Sequence, residues 1–335
     1  WIYDTWLGGQ IDIKAYSQLD SVDGKASTSV RHAKVVSGEL QLKQGGSLEA
    51  TLAGGDVTQL QGKGAWRYGQ WLGGTVDLTP SPLTALKGSA TATLLQHKQI
   101  NGDFSLKPGG SVFIDFDTTQ DLAAQTFMGD VAWQYQDWLD GTVTVGAGGS
   151  FKGVQGLATA RLIADKDVGN GLVLKTGGNL SVDLQSSKPT TFGGSVQWQY
   201  EDWIAGEITV KDGSQLTAIS GEANAHLRKA KQVGDGAFKL LSGGSPTVKF
   251  TNSGIDGIHG HLNFGYEDWL EGGINIDQGS GLKKISGTGS ASVITDKAIG
   301  DGKFRIRAGS SASLKVANNS FEGLTGSVKF GYEDW

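Results

Sequence analysis

Side chains able to act as acids, bases, nucleophiles or metal ligands are scattered along this chain rather than gathered. Five histidines are present, His32, His97, His226, His259 and His261, and none recurs at a fixed interval. His259 and His261 lie two residues apart, which puts both on one face of a strand, as a metal pinch requires. No carboxylate or third His stands at a matching offset, so a solvated strand pair is the simpler reading. Cysteine is absent, which excludes thiol catalysis, disulfides and thiolate metal sites. Serines are plentiful, yet no G-x-S-x-G elbow joins a strand to a helix, and no glycine loop opens a helix to cradle phosphate. The inventory points to a non-enzyme without cofactors.

Acidic residues do recur, and always beside aromatics. Asp137, Asp202, Asp268 and Asp334 each precede a Trp, with Glu201, Glu267 and Glu333 next to them in three copies. Paired carboxylates beside Tyr and Trp suit sugar binding, since rings stack on a pyranose while acids accept its hydroxyl hydrogens. Asp4-Thr5 and Gly69-Gln70 break the pair in two copies. Glycosidase chemistry has weaker support still, because it needs two carboxylates across a cleft. Calcium is conceivable at the Asp-containing turns, but the G-G-x-G-x-D nonapeptide of calcium β-rolls is missing.

These residues belong to one motif that sets the period of the whole chain. An aromatic, any residue, Tyr, two residues and Trp recur at Trp1-Tyr3-Trp6, Trp66-Tyr68-Trp71, Trp133-Tyr135-Trp138, Trp198-Tyr200-Trp203, Phe264-Tyr266-Trp269 and Phe330-Tyr332-Trp335. The closing Trp residues are 65, 67, 65, 66 and 66 positions apart, and all ten Trp and six of seven Tyr lie in the motif. Residues 1–6 therefore read as the end of a preceding repeat, followed by repeats over 6–70, 71–137, 138–202, 203–268 and 269–335. Both ends fall on the motif without atypical capping units, so the sequence reads as an excerpt of a longer array. Other elements keep phase. Gly45-Gly46-Ser47, Gly109-Gly110-Ser111 and their counterparts follow a Leu-x-Leu-like stretch. Gly-Asp/Asn-Gly turns stand at 169–171, 234–236 and 300–302.

The elements that carry the motif have a period of two. In the last repeat Ile274 and Ile276, Phe304 and Ile306, Leu314 and Val316, and Val328, Phe330 and Tyr332 alternate with polar residues. Gly, Asn, Asp and Ser bound the runs and supply the positive φ of tight turns. The fold class is all-β: tandem antiparallel repeats of about 66 residues, four or five strands each, forming an extended or curled array. A two-residue hairpin at Tyr-x-x-Trp gives five strands and puts Phe264 opposite Glu271. A strand running straight through keeps Phe264, Tyr266, Asp268, Leu270, Gly272, Ile274 and Ile276 on one face, and this phase favours four. Strands of small residues, such as Gly221-Ala223-Ala225, complement the bulky aromatic row.

Composition narrows the function. Net charge is −5 with both signs interspersed, so there is no basic stripe for nucleic acid. No run approaches the roughly 18 apolar residues of a spanning helix. The leading expectation is a non-catalytic structural or adhesive array, a stalk, shell or scaffold within a very large exported bacterial protein at the cell surface. Its partners are neighbouring repeats or copies of itself. One alternative is an apolar-face conduit or container for lipid-like ligands. Another is a carbohydrate-binding array, which brings in glycan as a partner. An outer-membrane barrel fits less well, because its two aromatic girdles are missing. The candidate residues, as repeat-junction plugs or ligand platforms, are Tyr68, Trp71, Tyr135, Trp138, Tyr200, Trp203, Tyr266, Trp269, Tyr332 and Trp335.

Overall fold

The computed structural model describes residues 1–12, 21–122, 125–215, 218–233 and 237–333, and for 147 and 148 only the backbone. Strands account for 68% of the residues and helix for 1%, so the all-β class holds, with antiparallel pairing throughout. The chain forms two compact units, Trp1–Ala160 with Val182–Thr190, and Arg161–Ser181 with Thr191–Trp335.

The first unit shows how the sequence becomes a sheet. It opens with β1 (Ile2–Tyr3), β2 (Leu7–Gln10), β3 (Gly24–Val30), β4 (Lys34–Ser37), β5 (Leu40–Leu42), β6 (Gly45–Ala53) and β7 (Asp56–Tyr68). It continues with β8 (Leu72–Ser81), β9 (Lys87–Leu94), β10 (Lys98–Gln99), β11 (Phe104–Leu106), β12 (Gly109–Asp117), β13 (Thr126–Tyr135) and β14 (Leu139–Ser150). Six strands thus lie between Trp6 and Trp71, yet they fill four sheet positions. β3 pairs with β2 and β6, and β6 pairs with β7. β4 and β5 are the tip of the β3–β6 hairpin. β5 bonds to β7 at Leu42↔Trp66, beyond the last β6 pair at Ser47↔Lys63. Gly45 and Gly46, at φ 105° and 90°, make the break between β5 and β6.

The aromatic junction corrects the straight-through strand. β7 and β8 form a hairpin, with Tyr68 opposite Leu72 and Trp66 opposite Gly74. Tyr135↔Leu139, Tyr200↔Ile204 and Tyr266↔Leu270 repeat it. A three-residue loop preserves parity, so residues on either side keep the same face. The phase that favours a straight strand is therefore equally the signature of this hairpin. The reversal begins at the residue after Tyr, which takes φ of 51° at Gly69, 50° at Gln136, 47° at Glu201 and 48° at Glu267. The Gly169-Asn170-Gly171 turn sits at a hairpin tip as expected, while 234–236 lies outside the described residues.

Large and small residues do complement each other. Across the strands Trp66, Gly74 and Ala92 stand side by side, as do Trp198, Gly206 and Ala225, and Phe264, Gly272 and Ala291. A Cβ on Gly74 would lie 2.0 Å from Thr91 O, so no larger residue fits there. Within each unit, rings on separated strands meet across the apolar face. In the first, Trp66 meets Phe116 at 5.7 Å and Trp71 meets Phe151 at 5.1 Å. In the second, Trp198 meets Phe250 at 4.8 Å. These partners lie several strands apart, so the sheet curves locally. Bulges at Gly62, Gly129 and Gly194 bend its long strands.

Candidate functional site

The hairpin loop brings the candidate residues into one corner. Its first residue turns the chain and its third, Trp, folds back beneath the strand ends. Trp71, Trp138, Trp203 and Trp269 are all buried, at 6%, 6%, 1% and 7% exposure. Tyr68, Tyr135 and Tyr266 are half-buried and set their rings edge-on to the following Trp, with centroids 5.8, 6.1 and 6.4 Å apart. Tyr200 takes the same half-buried position. Tyr332 is exposed, and Trp335 and Asp334 lie outside the described residues.

A lysine that sequence reasoning overlooked completes the corner. Lys34, Lys98, Lys231 and Lys297, each opening the third strand of its repeat, place Nζ 5.7, 5.1, 5.4 and 5.5 Å from the ring centroids of Trp6, Trp71, Trp203 and Trp269. Such a cation over an indole contributes about 0.5–1 kcal/mol at an exposed site. The signal was available, since Lys166 holds the same sequence position in the remaining repeat.

The positive-φ residue serves two partners. Glu201 Oε2 accepts from Trp203 Nε1 at 3.0 Å and from Lys231 Nζ at 2.9 Å. Glu267 does the same for Trp269 and Lys297, and Gln136 Oε1 accepts from Trp138 Nε1 at 2.8 Å. Lys297 beside Glu267 holds its carboxyl below the ordinary value, and the Trp269 N–H adds to this against a smaller opposing effect of burial. Gly69 has no side chain to offer, and Trp71 Nε1 is buried without an acceptor. The acidic residues next to the Trp therefore have two fates. The first of the pair seals the corner, while Asp202 lies outside and pairs with Lys229 at 2.7 Å.

Two tyrosines are perturbed. Burial pushes the Tyr68 phenol up to about 12, reinforced by its 2.8 Å hydrogen bond to Asp121 Oδ1. Tyr135 is raised by burial and by Asp103. Both shifts keep the hydroxyl neutral, as a structural group requires.

A second recurrent device lies at the opposite ends of the strands. Ile219 N–H donates to Ser253 Oγ at 3.1 Å while Ser253 N–H donates to Ile219 O at 2.8 Å. The pairs Leu86–Thr118, Val154–Ser187 and Ile285–Asn319 repeat this bracket, and the four aliphatic residues are fully buried. An apolar-x-Gly signature before the small-residue strand marks each of them in the sequence.

The histidines stay apart from both devices. His261 Nδ1 lies 3.1 Å from Asn275 Oδ1, and His259 stands opposite Thr247. Among the described residues no three His, Asp or Glu side chains form a metal-sized group. No helix among the described residues is long and apolar enough to cross a membrane. Comparison with protein-family models and with curated proteins finds no match for this chain.

Proposed function

We propose that the chain is a non-catalytic structural array, a scaffold or stalk whose task is to hold its own repeats in a fixed sheet. The observation that carries this reading is the occupancy of the aromatic corner. The indoles are buried, a lysine of the same chain lies over the ring in four corners, and a turn side chain accepts the indole N–H in three. A ligand platform needs an open ring face, whereas a joint needs a filled one. The apolar interior supports the same reading over the container, because rings from distant strands fill it against each other.

Two measurements test it. Native mass spectrometry of the purified chain is expected to give the bare polypeptide mass or whole multiples of it. Extra mass of lipid size, removed by organic solvent, would overturn the scaffold in favour of the container. Trp203→Ala is expected to lower stability by about 3–5 kcal/mol, the range for truncating a buried Trp. An unchanged melting curve together with loss of a glycan ligand would make the corner a binding platform instead.

A further inference from the structure

The outward face of the first unit departs from its own repeats at one sheet position. Across the fifth and sixth strands of each repeat the facing pairs are Glu49 with Gln61, Thr247 with His259, and Ser313 with Thr325. Ser181 and Gly193 hold the position in a further copy. In the remaining repeat the pair is Phe113 with Met128, at 58% and 50% exposure. Three polar pairs and a Ser–Gly pair show that the fold itself does not call for an aromatic there. Phe113 and Met128 together form a local apolar patch on a face that is otherwise polar at this position.

The surroundings identify the chemistry. The ring stands between two grooves of about 230 and 140 Å³. Thr75, Thr91 and Asp77 line the first, and Asp115, Thr126 and Met128 the second. Thr75 and Thr91 already share a hydrogen bond of 2.9 Å, which presents a flat pair of hydroxyls beside the ring. Asp77 and Asp115 are exposed and, among the described residues, unpaired. Phe and Met are common in the cores of protein–protein contacts, but Asp is depleted there, so the two exposed carboxylates beside this ring favour a ligand rich in hydroxyls. It suits a hexopyranose, whose axial C–H face packs on a ring while its hydroxyls donate to carboxylates.

The geometry points to Phe113, with Asp77 and Asp115, as a platform for a neutral polysaccharide on the outward face of the first unit. This site is separate from the aromatic corners and stands whether or not the array is a scaffold.

Affinity electrophoresis through native gels containing laminarin, hydroxyethyl cellulose, xyloglucan, galactomannan or dextran tests it directly. Retardation by at least one polysaccharide is expected. Phe113→Ala should weaken it by about tenfold or more, the loss typical of one aromatic anchor. Asp115→Asn should weaken it in the same gel, and Ser313→Ala, at the equivalent position, should leave it unchanged. Phe113 and Asp115 are exposed, so their variants should keep the wild-type melting curve. Absence of retardation in every gel would overturn the assignment, as would equal retardation of wild type and Phe113→Ala. Concentration-dependent dimers that Phe113→Ala disperses would also overturn it, making the patch a contact between copies.

Discussion

Replacing Glu201 by Gly opposes two effects that the corner holds in balance. Glu201 sits at φ 47°, where an L-residue costs about 1–2 kcal/mol, and Gly would relieve that strain. The same change removes the acceptor of the buried Trp203 N–H and the anchor of Lys231. A hydrogen bond to a charged acceptor contributes about 1.5–3 kcal/mol. The Lys231 pair is largely exposed, so its share is discounted to below about 1 kcal/mol. The losses exceed the gain, and Glu201→Gly should destabilise by about 1–2 kcal/mol. At about 2–4 °C per kcal/mol, melting should fall by roughly 2–8 °C. Glu201→Gln keeps an acceptor, as Gln136 does for Trp138, and should stay within about 1 kcal/mol of wild type. The assay is thermal and urea unfolding followed by Trp fluorescence, fitting the transition of the unit that contains Trp203, since a two-unit chain need not melt in one step. A Glu201→Gly chain as stable as wild type would refute the reasoning, because backbone strain would then outweigh the indole hydrogen bond.

Gly206→Ala would set a Cβ 2.0 Å from Asn224 O, so cooperative unfolding should be lost. Gly323→Ala, in open space, should change stability by less than about 1 kcal/mol in the same urea titration. Ser253→Ala leaves the buried Ile219 N–H without its hydroxyl partner and should cost about 1–3 kcal/mol by chemical denaturation. The raised Tyr68 phenol contributes stability that is complete below the ordinary value of 10.0 and is lost as pH rises through about 12. Tyr68→Phe should therefore flatten the alkaline limb of stability, and an unchanged limb would remove this origin. The lowered Glu267 carboxyl contributes stability present above its ordinary value of 4.5 and lost as pH falls through its folded value. Acid titration of melting temperature should be shallower in Glu267→Gln.

Much of the fold was legible because its strands alternate cleanly and its rarest residues repeat. The hairpin at the motif was not, since parity is identical for a straight strand and a three-residue loop. Only the positive φ at Gly69, Gln136, Glu201 and Glu267 separates the two, and three of those residue types do not favour it. The short third strand of each repeat is not legible because two to four residues carry no period, although its leading Lys recurs. The buried Trp faces were also beyond periodicity, which places a residue on a face without telling what covers it. The Phe113–Met128 pair was readable only as a break in alternation, and its register against three polar pairs required the paired strands.

That register has a wider consequence. Inward positions of the fifth strands are packed as Leu48, Val112, Val248 and Leu314, while the outward neighbours one residue away vary freely. Alternation thus uncouples what the chain must preserve from what it can revise. Each repeat is a cassette with a constant back and an editable front. An aromatic installed at Thr247 with Met at His259 would give the second unit the same outward apolar pair without a single change to the interior, although Lys249 stands there where Asp115 stands in the first.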